Sequence, residues 1–337
     1  MTDRPTLTEV AAAAGVSVSS ASRALSGASA SPAMVAKVRA AADQLGYVVD
    51  ATARSLKVRR TEQLALAVAD LGNPVYVAMM RAVESVVSAA GYRLVVTATG
   101  ADPAAEIATV NGMSRGYADG LIISPLRITD EVVAALTSAR VPLVVIGTLP
   151  PKVALDNVRA NSVRGTGLAY EHLVRTGRRR IAFLNGPVET TPGESRLRGY
   201  RRAVRAGGAE PDPALVVAAT DFTAEAGEKA ARALLSTAEP DALLCANDLL
   251  AVGAMRALAA TGRRVPEDTA VVGMDDTDLA ELTTPPLTSV GLGSRERGAQ
   301  AATLLLDRLK DPGRAPTRVT VQPRLVVRES SAGRAGR

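Results

Sequence analysis

The sequence predicts an α/β protein in two parts. A small unit of three short helices comes first, followed by a core of two sublobes built on parallel sheets. Three observations predict this. The chain has 337 residues, and at about 150 residues per domain that suggests roughly two domains. Hydrophobic residues make up 47% of it, enough for a sizeable core and too many for global disorder. The hydrophobic spacing also changes along the chain. It is helical up to about residue 47, and from Gln63 onward short apolar runs alternate with helical stretches.

Each element follows from local chemistry. Leu7 to Ala14 carries Leu7, Val10 and Ala11 on one face of a first helix. Gly15-Val16-Ser17 breaks it, since Gly15 supplies the positive φ of a sharp turn. Ser17 then caps a second helix, Val18 to Ser26, which Gly27 ends. Ser31-Pro32 starts a third helix that runs to about Leu45, with Val35, Val38, Ala42 and Leu45 at helical spacing. Residues 51–58 are helix-compatible but only two turns long, too short to be stable alone in water. Arg59-Arg60-Thr61 reads as the end of a linker.

The strand candidates are 64–70, 93–99, 120–124, 142–147, 180–185, 214–220, 242–247 and 270–275. The helical stretches lie at 74–90, with Val75, Met79, Val83 and Val86 on one face, and near 103–116, 157–176, 194–207, 223–237, 247–261 and 294–310. Continuous apolar strands between helices indicate parallel sheets covered on both faces. About 270 residues is long for one such sheet, so two sublobes are expected, with ligands at the carboxyl ends of the strands.

Composition excludes several classes. No apolar run is long enough for a transmembrane helix, and the polar N-terminus lacks the apolar stretch of a secretory signal, so a cytoplasmic protein is expected. One cysteine, Cys245, rules out an internal disulfide framework, and with the single His172 it rules out a four-ligand His/Cys zinc site. No cofactor is expected. Six Tyr and two Phe are the only aromatic residues. The net charge is +6, of which +4 falls in residues 1–60, with eight Lys/Arg against four Asp/Glu. That asymmetry suits an anionic partner for the N-terminal unit.

The polar face of the second helix sharpens this. Ser19, Ser22, Arg23 and Ser26 are spaced i, i+3, i+4, i+7 and share one side, opposite Ala21 and Leu25. Small residues and one Arg suit a helix entering the DNA major groove. A solvated face of a small helical unit would read the same way.

The segments LTEVAAAAGVSVSSASRALSG (7–27) and LGYVVDATARSLKV (45–58) resemble the DNA-binding headpiece and hinge of the lactose-repressor (LacI/GalR) family of bacterial transcription regulators. The similarity continues in family order through NPVY (73–76), ADGLIIS (118–124), HLVRTGRRRIAFLNGP (172–187), DALLCANDLLAVGAM (241–255) and VVGMDD (271–276). It implies a helix-turn-helix headpiece over 1–50, a hinge helix and linker over 51–61, and an effector-binding and dimerisation core over 62–330. That core would be similar to periplasmic binding proteins and followed by a disordered tail over 331–337. The implied partners are a palindromic double-stranded operator, a small-molecule effector such as a sugar or sugar-like metabolite, and a second copy of the chain. The implied role is a regulator, most often a repressor.

Site residues transfer by position. Val18, Ser19 and Arg23 fall where base contacts are made. Thr6, Ser17, Ser20 and Ser22 are candidate phosphate contacts, which position without specifying. Leu56, with Ala53 one turn earlier, falls where a hinge leucine wedges into the minor groove. Asn73, Tyr76, Ser124, Arg196, Phe222, Asn247 and Asp275 fall on effector-pocket positions. Asn247 also suits a helix cap, and Arg196 a structural ion pair. Gly147 stands where many relatives carry an Asp, which removes an acceptor and opens space.

Other signals carry less. Gly112-Met113-Ser114-Arg115-Gly116 matches the serine-hydrolase pattern G-x-S-x-G, but a helix precedes it and a strand follows, the reverse of a nucleophile elbow. Gly165-Thr166-Gly167 lies in a helical stretch. Arg178-Arg179-Arg180 reads as a solvated turn, Asp156-Asn157 as a cap, and Cys245 as an inert core residue. A transport solute-binding protein would share the core fold, but the first sixty residues and the missing signal argue against it. An enzyme would need a catalytic constellation, and none is found.

Overall fold

The computed structural model describes residues 5–25, 30–48 and 60–332. They fall into two compact units, Met1–Glu62 and Gln63–Arg337. Ser26 and Gly27, and the hinge residues Ala53 and Leu56, lie outside the described residues.

The first unit holds α1 (Leu7–Ala13), α2 (Val18–Leu25) and α3 (Pro32–Leu45). Thr6 and Glu9 form a reciprocal capping box at the head of α1. Ser17 accepts the Ser20 N–H at 3.2 Å, and Ser31 caps α3 with Pro32 in its first turn. Among the described residues of this unit, six of the eight buried apolar ones are alanine, the others being Val10 and Val38. Alanines let the helices approach closely but bury little area, so the caps carry a large share of the stability of so small a unit. Ala24 is fully buried beside Ala21, and Leu25 packs against them from the margin.

The second unit contains two six-stranded sheets. The first has the order β11-β5-β4-β3-β1-β2 and is parallel throughout. Its strands are β1 (Gln63–Val68), β2 (Arg93–Ala98), β3 (Gly120–Ile123), β4 (Leu143–Ile146), β5 (Asp156–Ala160) and β11 (Arg318–Val321). The second has the order β12-β10-β9-β8-β6-β7, with only β12 antiparallel. Its strands are β6 (Ile181–Asn185), β7 (Val216–Ala218), β8 (Ala242–Cys245), β9 (Ala270–Met274), β10 (Thr288–Gly291) and β12 (Arg324–Val326). The chain passes between the sheets after β5, after β10 and between β11 and β12.

Helices cover both faces. α4 (Pro74–Ala89) starts at an Asn73 cap followed by proline, and buries Val75, Met79, Val83 and Val87 at i, i+4 spacing. Val87 rather than Val86 completes the stripe. α5 (Pro103–Met113) and α6 (Asp130–Thr137) pack together on the first sheet. α7 (Ser162–Arg175), α8 (Thr191–Ala206), α9 (Ala224–Leu235) and α10 (Asp248–Ala260) flank the second sheet, and α11 (Asp278–Leu282) follows β9. α12 (Ser294–Lys310) returns to the first sheet and packs along α4.

Several expectations need correction. Residues 156–160 are a strand, and the helix expected from 157 begins only at Ser162. Asp156 and Asn157 are therefore not a cap. Asp156 pairs with Arg308 at 2.9 Å and accepts the Thr317 N–H at 2.7 Å, while the Asn157 amide donates to the Val145 and Gly147 carbonyls. Strand β7 is three residues long, preceded by a 3-10 turn over Pro213–Leu215. β10, β11, β12, α6 and α11 escape a periodicity reading because they are short. Arg178 is not solvated: it is buried, and its guanidinium donates to the Asp241 and Pro266 carbonyls. Arg179 and Arg180 are exposed, and their backbone N–H groups donate to the Asp241 carboxylate. Ser331, expected in the tail, is buried, and its hydroxyl bonds His172 Nε2 at 2.7 Å.

Candidate functional site

The carboxyl ends of the strands in both sheets face one cavity of about 330 Å³, within the range of small-molecule sites. Asp70 follows β1, Ser124 follows β3, Gly147 follows β4, Asn247 follows β8 and Asp275 follows β9, and all five line it. All seven residues named as effector positions line this cavity, and so does Gly147. The first sheet and its helices supply Asn73, Tyr76 and Ser124, and the second sheet supplies Arg196, Phe222, Asn247 and Asp275.

Arg196 and Asp275 form its charged floor. Arg196 lies on α8 and donates to Asp275 Oδ1 at 3.2 Å and to the Ala246 carbonyl. Its Nε is buried with no hydrogen-bond partner. Burial raises the Asp275 pKa, and the charges of Arg196 and Arg297 oppose that shift. Asp275 and Asp276 have φ of 109° and 51°, positions that L residues rarely adopt and that cost about 1–3 kcal/mol each. Neighbours hold the turn. The Asp275 N–H donates to the Val290 carbonyl, the Asp276 N–H donates to the Ser289 hydroxyl, and Arg328 pairs with Asp276 at 2.9 Å. Beneath them the buried Asp248 accepts both the N–H and the hydroxyl of Thr277 at 2.8 Å, and the hydroxyl of Ser289.

The aromatic walls are Tyr76 and Phe222. Burial pushes the Tyr76 pKa up to about 12. The Arg196 guanidinium lies 6.0 Å from the Phe222 ring centroid. A Cβ at Gly186 would sit 2.1 Å from that ring, so glycine there is what seats Phe222. Asn247 is occupied internally: Oδ1 accepts the Leu250 N–H as the α10 cap, and Nδ2 donates to the Phe222 carbonyl. Asn73 Oδ1 likewise caps α4. Gly147 has φ 152°, so any side chain there is strained even though a Cβ would meet only the Pro125 carbonyl oxygen, at 3.9 Å. The backbone as well as the missing acceptor therefore accounts for the glycine.

Position carry-over missed Arg297. It stands on α12 and lines the cavity, its Nε is buried with no hydrogen-bond partner, and its charge acts on Asp275. The signal was present: Arg297, Ala301, Leu304 and Leu305 follow helical spacing, so an arginine heads a buried apolar stripe.

Two contacts join the sheets at the cavity mouth. The Thr191 N–H donates to the Leu126 carbonyl at 2.8 Å, and Arg127 pairs with Glu189 at 2.9 Å. Behind them Glu106 is buried, with Oε1 accepting the Leu126 N–H at 3.3 Å and Oε2 unpartnered. Burial raises its pKa to about 7, against the Leu126 amide and the Arg127 charge. Below its unfolded value of 4.5 both states are protonated and Glu106 contributes no pH dependence. As pH rises from there to about 7, only the unfolded state loses the proton, so stability falls and stays reduced above. Glu106→Gln is therefore expected to give a higher melting temperature than the parent at pH 8 and a shallower decline from pH 5. Parallel melting profiles across that range would refute the assignment.

In the first unit, Val18, Ser19 and Arg23 are exposed on α2. Ser17, Ser19 and Ser20 share side-chain hydrogen bonds, and Arg23 donates to the Ser20 hydroxyl at 3.3 Å. Thr6 uses its hydroxyl in the capping box with Glu9, and Ser22 is half-buried. Among the described residues, no helix is long and apolar enough to cross a membrane.

A cavity bridging two parallel sheets, on a chain that begins with a helix-turn-helix unit, defines a ligand-responsive DNA-binding regulator. Residues 6–50 match the model of the bacterial regulatory proteins of the lacI family, and residues 170–331 match a periplasmic binding protein-like domain. The transcriptional regulator CelR of Thermobifida fusca is 39% identical over 97% of this chain and 98% of its own length. A solved CelR–cellobiose complex superposes with a TM-score of 0.74 at 36% identity, covering 97% of this chain and all of that one. The lac repressor dimer bound to operator and an anti-inducer gives 0.88 at 27% identity, covering 98% of this chain and all of that one. The chain belongs to the LacI family: it is a transcription regulator and not an enzyme.

Proposed function

We propose that this chain represses genes for the uptake or breakdown of a carbohydrate or related metabolite, acting in the cytoplasm as a homodimer on a palindromic operator. The observation that carries the reading is the cavity. Polar groups on Asn73, Ser124, Arg196 and Asp275 line it together with the rings of Tyr76 and Phe222, and they come from both sheets. A polyhydroxy ligand held there favours one relative arrangement of the two sheets, and that differential affinity is what shifts a conformational equilibrium. CelR was solved with cellobiose, which supports the carbohydrate class. On the DNA side, Val18, Ser19 and Arg23 read bases, Thr6, Ser17, Ser20 and Ser22 meet phosphates, and Ala53 and Leu56 enter the minor groove. The domains are a headpiece over 1–50, a hinge over 51–61 and a core over 62–330.

Selection of bound DNA from a random pool by the full-length protein tests this. An enriched palindrome, released when a carbohydrate is added, is the expected result. No enrichment, with or without carbohydrate, would overturn it.

A further inference from the structure

Three ionised groups meet at the floor of the cavity, and their charges do not cancel. Arg196 and Asp275 are paired, whereas Arg297 feels the charge of Asp275 without forming a salt bridge to it among the described residues, and its Nε has no hydrogen-bond partner. Two Nε–H donors, one on each arginine, are buried without an acceptor. Arg297 itself is only partly buried, but an N–H shut off from water with no acceptor is costly unless something completes it. Asp70 and Asp221 also line the cavity, but both are exposed, and each turns a carboxylate oxygen to a backbone N–H, of Gly72 and Phe222. Water screens charges in that setting. Gly147 adds no carboxylate.

We infer that the ligand of this cavity carries an anionic oxo group, a carboxylate or a phosphate on a small polyhydroxy body, bound between Arg297 and Arg196. A guanidinium fork fits such a group with paired, charge-assisted hydrogen bonds. Arg297 belongs to α12 on the first sheet and Arg196 to α8 on the second. One anion therefore ties the two sheets together, and its charge is read by the same contact that couples the cavity to the rest of the fold. This deepens the effector reading proposed above and rests on it.

The test compares full-length protein with Arg297→Met. Melting temperature is followed against sodium sulfate, with sodium chloride matched for ionic strength. Sulfate stabilises proteins generally, so the informative quantity is the saturable rise above that shared trend. The parent is expected to show a saturable rise, with apparent affinity at least tenfold weaker in Arg297→Met. Parallel curves for the two proteins would overturn the inference. D-gluconate and glucose 6-phosphate, each against glucose, then separate carboxylate from phosphate. Operator release measured in parallel separates the two readings. Release by neutral sugars with equal potency in both proteins overturns the anion site and leaves the effector reading standing. Arg297-dependent sulfate binding without release by any sugar or sugar acid upholds the anion site and overturns the effector reading.

Discussion

Replacing Arg196 with methionine is expected to abolish ligand-induced release of the operator and to lower the melting temperature by several degrees. Methionine keeps much of the volume but removes the donors to Asp275 and to the Ala246 carbonyl. Asp275 is then a buried carboxylate without its ion pair, in a turn that is already strained. Removing one partner of a buried pair costs about 3–5 kcal/mol, reduced here because Asp275, whose pKa burial already raises, can take up a proton. Ligand affinity is expected to fall at least about a hundredfold, equivalent to about 2.8 kcal/mol. Calorimetric titration of the parent and the variant with the carbohydrate that releases the operator checks this. The double variant Arg196→Met with Asp275→Asn should regain stability but not affinity, because asparagine needs no counter-charge. Undiminished affinity in the single variant would place the ligand elsewhere.

The second large effect lies on DNA. Arg23→Ala is expected to erase base preference in the selected DNA while leaving ligand binding and melting temperature within error of the parent. Arg23 is exposed on α2, where it donates to the Ser20 hydroxyl at 3.3 Å, and substitutions at exposed positions change stability little. An arginine bidentate to guanine discriminates by about 1–3 kcal/mol. Weak residual binding should remain, carried by phosphate contacts and falling steeply with salt. A variant that still selects the same palindrome would remove Arg23 from the base-reading set.

Much of this was legible in the sequence. The apolar runs at 64–70, 120–124 and 242–247 read as buried parallel strands, and each became a strand of β1, β3 or β8. Ser31-Pro32 announced a capped helix that α3 realises. The seven pocket positions, scattered from Asn73 to Asp275, converge on one cavity. Misreadings arose where partners lie far away in the chain. Asp156-Asn157 looks like a cap because its strand is short and polar, and Arg308 and Thr317 are what bury it. Arg178 looks solvated within a run of three arginines until the Asp241 and Pro266 carbonyls close over it.

By itself the sequence determined the class of the protein, the two-part layout, the periodic elements and seven of the groups that reach the cavity. Those follow from local periodicity, capping chemistry and motif order, which act over a few residues at a time. Only the tertiary structure decided the charge balance of the cavity, the strained turn at Asp275 and the contacts that join the sheets at its mouth. Each depends on which side chains from distant segments are brought together and shielded from water. Arg297 is the plainest case: helical spacing places it at the head of an apolar stripe, but only the fold brings it to the cavity within reach of the charges of Arg196 and Asp275.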